Sequence, residues 1–152
     1  MRGWILLVGL LAFPAWAGDE LTLVGPEGNP VVLRPEAGQV LLLHFWATWC
    51  PTCVDDLVDL QKASADCSEE RVRVIAVNAG DSDAEIAEFV ERHGLSLVML
   101  RDPKGRAWRK FDGRGLPMNL FWSQAEQRTD LGPKRESDWR SELASLGCGD
   151  SN

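Results

Sequence analysis

The chain has 152 residues, 16 of them Lys or Arg and 23 Asp or Glu, for a formal net charge of -7. Hydrophobic residues make up 45% and charged residues 26%, which fits one soluble globular domain and excludes a collagen-like or disordered chain. The acidic balance argues against nonspecific nucleic-acid binding, which needs clustered cations to displace phosphate counterions. Four cysteines are present, and their spacing carries most of the functional information.

Residues 1–17 run from a basic start, Met1-Arg2-Gly3, through an apolar stretch from Trp4 to Phe13, to Pro14-Ala15-Trp16-Ala17. This is the pattern of a cleaved secretory signal peptide, with an uncleaved membrane anchor as the alternative. The apolar stretch is short for a bilayer span. Residues 18–152 then form one domain, exported to a compartment where disulfides persist. The expected compartment is the periplasm, with the chain membrane-anchored there if the segment stays uncleaved.

Leu21-Thr22-Leu23 and Val31-Val32-Leu33 flank a Gly/Pro-rich reversal and predict an N-terminal β-hairpin. Val40 to Trp46 is apolar except for His44, as expected of a central strand buried on both faces. Pro51 to about Ala65 reads as a helix with Val54, Leu57, Val58 and Leu60 inward. Val72 to Val77 is a second buried strand. Ser82-Asp83-Ala84-Glu85 has capping-box spacing and opens a helix that Gly94 ends. Leu95 to Leu100 predicts a third strand, Lys104 to Phe111 a short helix, and Gly113 to Pro117 a loop. Met118–Trp122 and Gln127–Leu131 predict an antiparallel pair, and Ser137 to Leu146 a final helix. The fold class is α/β, a mixed central sheet flanked by helices.

The sharpest motif is Phe45-Trp46-Ala47-Thr48-Trp49-Cys50-Pro51-Thr52-Cys53, between a buried strand and an amphipathic helix. Two intervening residues place both sulfurs on the first helical turn, within disulfide reach. Free backbone N–H groups and the helix dipole stabilise a thiolate at Cys50, and Pro51 suits the first helical position because it has no N–H. Cys50 is expected to be the exposed, attacking thiol with a lowered pKa. Cys53, deeper and with a higher pKa, is expected to resolve the mixed disulfide. The bland alternatives are a zinc half-site and a purely structural disulfide. Zinc needs a second Cys/His pair at short spacing, and Cys67, Cys148, His44 and His93 do not supply one.

These residues resemble the TlpA/ResA-type thioredoxin-like proteins, periplasmic thiol-disulfide oxidoreductases. Asp56 and Gly115-Leu116-Pro117 extend the resemblance, which spans nearly the whole chain after residue 17. It implies a thioredoxin-like fold with an added N-terminal β-hairpin. A carboxylate three residues after the second cysteine, here Asp56, would move protons to and from the buried thiol. The bland alternative for Asp56 is a solvated acid near a helix start. Pro117 matches the family's cis-proline, and Leu116 before it would offer backbone groups to an extended substrate segment. Leu116 stands where Val or Thr is more usual, and Val58 where a Pro is frequent.

Trp46 and Trp49 are expected to pack, with Trp49 also shielding Cys50 and touching substrate. His44 is expected to be a hydrogen-bonded core histidine, and His93 a helix C-terminal residue. In a thioredoxin-like fold the helices preceding Cys67 and Cys148 share a sheet face and run in similar directions, so these two cysteines are expected to form a structural disulfide.

The resemblance implies a monomeric reductant of partner-protein disulfides, needing no cofactor or metal and fed by a membrane thiol electron donor. Its substrates would be apocytochrome c or a copper-site assembly protein. A copper-binding chaperone and a noncatalytic binding module are the alternatives. The first is disfavoured by two rather than three residues between the cysteines and by the lack of a placed His ligand.

Overall fold

A computed structural model describes residues 20–149. The expected signal peptide lies outside the described residues. Seven strands and four helices follow in the order β1 (Leu21–Val24), β2 (Pro30–Leu33), β3 (Val40–Trp46), α1 (Pro51–Ala63), β4 (Val72–Asn78), α2 (Asp83–His93), β5 (Val98–Arg101), α3 (Arg106–Lys110), β6 (Met118–Trp122), β7 (Gln127–Leu131) and α4 (Glu136–Ser145). No described helix is long and apolar enough to cross a membrane.

The strands form one sheet in the order β2-β1-β5-β4-β3-β6-β7. β3, β4 and β5 are parallel, as strands joined by crossover helices must be. The β1–β2 hairpin joins antiparallel to β5 through Val24, and β6–β7 closes the other side against β3. The continuous apolar run of β3 reflects its central place. Leu41, Leu43 and Phe45 point into a core shared with β1, β6 and α3, built on Leu23, Met118, Leu120 and Phe111. Leu42 and Trp46 point the other way. Leu42 meets Leu60, Trp139 and Leu143 from α1 and α4, and Trp46 meets Leu57, Ile86 and Phe89 from α1 and α2. Burial of such side chains is worth about 1.5–3 kcal/mol each.

The expected capping box of α2 is formed. Ser82 Oγ accepts from the Glu85 N–H, the Ser82 N–H donates to Glu85 Oε2, and Gly94 closes the helix at φ 60. Several boundaries differ from expectation by a residue or more, and at three of the starts a side-chain hydrogen bond accounts for the difference. β5 begins at Val98 instead of Leu95 because Gln61 of α1 clamps the segment, donating to the Gly94 carbonyl at 3.1 Å and accepting from the Ser96 N–H at 2.5 Å. α3 begins at Arg106 instead of Lys104, where the buried Asp102 carboxylate accepts from the N–H groups of Arg106 and Trp108. α4 begins at Glu136, one residue early, its N–H bonded to Asp59 of α1 at 3.2 Å.

Candidate active site

β3 delivers the chain to Ala47, and Cys50 becomes the N-cap of α1 with φ -90 and ψ 106. The Cys50 N–H donates to the Ala47 carbonyl and the Cys53 N–H to the Cys50 carbonyl, both at 3.1 Å. Pro51 takes the first helical position, where no N–H is needed. Cys50 and Cys53 are joined as a disulfide with Cα atoms 5.4 Å apart. The Thr52 hydroxyl lies 3.8 Å from Cys50 Sγ.

Cys50 is not the exposed residue that the sequence suggests. In the disulfide it is 3% exposed, against 0% for Cys53. Its neighbours provide the accessible surface, because Pro51 and Thr52 are exposed and Trp49 is 69% exposed. Trp49 therefore does not pack, whereas Trp46 is buried with its ring 4.7 Å from that of Phe89. Half-buried Leu116 packs against the cluster that holds Cys50 and Cys53. The Leu116–Pro117 bond is cis, and the buried Pro117 accepts from the Gly132 N–H at 3.0 Å.

Asp56 is not a solvated acid. It is 1% exposed on the inner side of α1. Its Oδ1 accepts from Trp139 Nε1 at 2.6 Å and from the Lys134 N–H at 3.1 Å. Its Oδ2 lies 3.9 Å from Nε2 of the buried His44. Burial raises the Asp56 carboxyl above its ordinary value, opposed by His44, the two hydrogen bonds and Lys134. Burial lowers the His44 imidazole, opposed by Asp56 and Asn119. His44 Nδ1 lies 2.7 Å from Asn119 Oδ1, so the core-histidine expectation matches the geometry. His93, in the last turn of α2, rests its ring 4.5 Å from Phe89.

Cys67 and Cys148, past the ends of α1 and α4, are joined with Cα atoms 4.6 Å apart. Sequence reading missed Asp81, whose carboxylate accepts from the Thr48 N–H at 2.6 Å and from Asn78 Nδ2 at 2.7 Å. The available signal was Asn78-Ala79-Gly80-Asp81, two side chains that bond locally, separated by a glycine at φ 104. It also missed the partners of Asp56, because Lys134 and Trp139 are 78 and 83 residues away.

A family model described as AhpC/TSA matches residues 16–129. The chain belongs to the AhpC/TSA family. Thiol-disulfide oxidoreductase ResA of Halalkalibacterium halodurans is 36% identical over 95 residues, covering 62% of this chain and 54% of that protein. This chain thus spans about half the length of that relative. Sporulation thiol-disulfide oxidoreductase A of Bacillus subtilis is 25% identical over 157 residues, covering 91% and 94%. The crystal structure of StoA from Bacillus subtilis superposes with a TM-score of 0.69 at 23% identity, covering 83% and 97%. That of a secreted Mycobacterium tuberculosis disulfide oxidoreductase gives 0.68 at 19% identity, covering 82% and 95%. The fold is thioredoxin-like, with the β1–β2 hairpin added. This AhpC/TSA member is a homologue of thiol-disulfide oxidoreductases of the ResA and StoA kind, with its Cys-x-x-Cys pair at Cys50 and Cys53.

Proposed function

We propose that this chain is an exported thiol-disulfide oxidoreductase that reduces disulfides of partner proteins through Cys50 and Cys53. The observation that carries it is the placement of Cys50 at the N-cap of α1, bonded to Cys53. There the helix dipole and unpaired N–H groups favour the thiolate that attacks.

The Cys50 thiolate attacks one sulfur of a substrate disulfide, and the other substrate sulfur leaves as a thiolate. The Cys53 thiol then gives its proton to Asp56. The Cys53 thiolate attacks Cys50 Sγ, the second substrate sulfur leaves, and two electrons have passed to the substrate. The Cys50–Cys53 disulfide is the product state. A membrane thiol carrier returns it to the dithiol. Exposed Trp49 and half-buried Leu116 flank the sulfurs and contact the substrate, which passes beside Pro117.

Residues 1–17 serve as the export signal, and the periplasm is the site of action. The substrate class is an apocytochrome c or a copper-site assembly protein, each of which needs free cysteines before its metal group is inserted. The Cys67–Cys148 bond is structural.

Cys53→Ala tests the reading, because it stalls the reaction at the mixed disulfide. Affinity isolation of this variant should bring down proteins bonded through Cys50 and released by reductant. A Cys50→Ala/Cys53→Ala variant should bring down none. Equal recovery by both variants would remove the exchange mechanism, and N-terminal sequencing of the exported protein checks cleavage after Ala17.

A further inference from the structure

Two buried polar atoms face each other under the active-site helix without a hydrogen-bond partner. They are His44 Nε2 on β3 and Asp56 Oδ2 on α1, 3.9 Å apart, and both side chains are fully buried. Their other atoms are fixed. Asp56 Oδ1 is occupied by Trp139 Nε1 and the Lys134 N–H. A proton that reaches or leaves Asp56 must therefore use Oδ2, the oxygen that looks at His44. On the other side, Asn119 presents its carbonyl oxygen to His44 Nδ1 at 2.7 Å, so the ring proton sits on Nδ1. Nε2 then carries a lone pair toward Oδ2. Two acceptors at this distance, both cut off from water, repel unless a proton lies between them.

We propose that His44 and Asp56 hold one proton between Nε2 and Oδ2, and that His44 is thereby a positioning residue governing when Asp56 can take the proton of Cys53. The proposal rests on the role of Asp56 given above. Burial favours the neutral carboxyl and the neutral imidazole, so it draws the shared proton toward Oδ2. The pair's remaining basic site is then His44 Nε2. As the Cys53 S–H bond breaks, its proton goes to Oδ2, and the proton already there passes to Nε2. The pair ends with two protons and Cys53 with none. The second proton leaves with the departing substrate thiolate, so the count closes without another reactant.

Lys134 is the charged group outside the pair that acts on Asp56, lowering its carboxyl. Lys134 precedes α4, with its Nζ bonded to Asp130 of β7. Asp59 lies on the next turn of α1, and Glu136 opens α4 with its N–H on Asp59. Asn119, the neutral member, is paired across β6–β7 with Asp130.

The test is the pH dependence of exchange with a small disulfide, from pH 5 to 9, for the wild-type chain, His44→Gln, Asp56→Asn and the double variant. Gln keeps a polar contact toward Asn119 but cannot titrate. His44→Gln should move the midpoint of the profile by about one pH unit, a tenfold change in protonation ratio. The double variant should match Asp56→Asn alone, because the two residues act as one unit. If Asp56→Asn shifts the profile and His44→Gln does not, the His44 proposal is overturned and the Asp56 role survives. If neither shifts it, both fall. A second measurement needs no variant: nitrogen NMR of the His44 ring beside carbon NMR of the Asp56 carboxyl in the reduced wild-type chain. Nδ1 should stay protonated, and Nε2 should titrate together with the carboxyl. A bare Nδ1, or a ring that titrates independently of Asp56, would overturn the proposal.

Discussion

The backbone N–H of Thr48 donates to the carboxylate of Asp81, 33 residues further along the chain, at 2.6 Å. The same oxygen accepts from Asn78 Nδ2, and the Asp81 N–H donates to Asn78 Oδ1 at 3.0 Å. The loop after β4 thereby holds the loop that presents Trp49 and Cys50. Paired strands carry the two loops side by side, since Trp46 of β3 is in register with Asn78 of β4. Asp81→Ala leaves the Thr48 N–H and the Asn78 amide without this acceptor. The expected cost is about 1–3 kcal/mol. Urea denaturation reads the loss, and faster hydrogen exchange at the Thr48 amide locates it. A variant with unchanged stability and unchanged Thr48 exchange would show that the loops hold each other by other means.

A second prediction concerns pH and Asp56. Burial raises its carboxyl, so the folded chain keeps this proton to a higher pH than the unfolded chain does. The stability linked to that proton is full below about pH 4 and is lost as pH rises through the folded value. His44 has the opposite sign, since its neutral form is favoured by burial. Its contribution is full above about pH 6.5 and is lost as pH falls through the lowered value. Asp56→Asn removes the first effect while keeping a carbonyl for Trp139 and Lys134 and supplying an N–H toward His44. The variant should be more stable than wild type at pH 7–8 by about 1–3 kcal/mol. That difference should shrink toward pH 4, with slower thiol exchange throughout. Denaturation curves at four pH values between 4 and 8 check it, and a gain that is flat with pH would assign the effect to packing.

Much of this architecture was legible in the sequence because its signals are local. Seven strands, the Ser82–Glu85 box and the Trp-Cys-Pro-Thr-Cys helix start depend on residues a few positions apart. The polar network was not legible. Asp56 reads equally as a proton carrier or a solvated acid until α4 brings Trp139 over it, and Asp81 reads as a loop residue until β4 lies beside β3. Leu95-Ser96-Leu97 has the composition of a strand and is held out of one by Gln61 of another helix. The accessibility of Cys50 and Trp49 was exchanged for the same reason. Whether a residue beside a helix start is covered depends on the facing loops, not on its own type.

Trp49 is 69% exposed, so its ring has little to hold in the fold. Trp49→Ala should change stability by about 0.5 kcal/mol or less, as surface substitutions do. Its effect should appear with protein substrates, where an exposed tryptophan beside the reacting sulfur offers a large contact area. We expect kcat/KM for a protein disulfide to fall about tenfold, near 1.4 kcal/mol, and exchange with a small dithiol to change little. Equal losses on both substrates would place Trp49 in the setting of Cys50 instead of in substrate contact.

The Cys67–Cys148 bond closes a loop of 81 residues by joining the far ends of α1 and α4. These helices already meet through Leu60, Ala63, Trp139 and Leu143, so the bond fixes a contact that the apolar side chains make. Its effect then falls mainly on the unfolded chain, which it deprives of conformations. For a loop of this length the loss on removing it is about 4 kcal/mol. A Cys67→Ser/Cys148→Ser variant should unfold at correspondingly lower urea concentration. It should still exchange disulfides through Cys50 at the wild-type rate, because neither residue lies near Thr48 to Cys53 in the chain or in the apolar cluster around them. Gentle reduction and alkylation of the wild-type chain should label Cys50 and Cys53 first and leave Cys67 and Cys148 unlabelled, as mass spectrometry of the peptides can read. A variant with unaltered stability, or labelling of all four cysteines together, would remove the structural role from this pair.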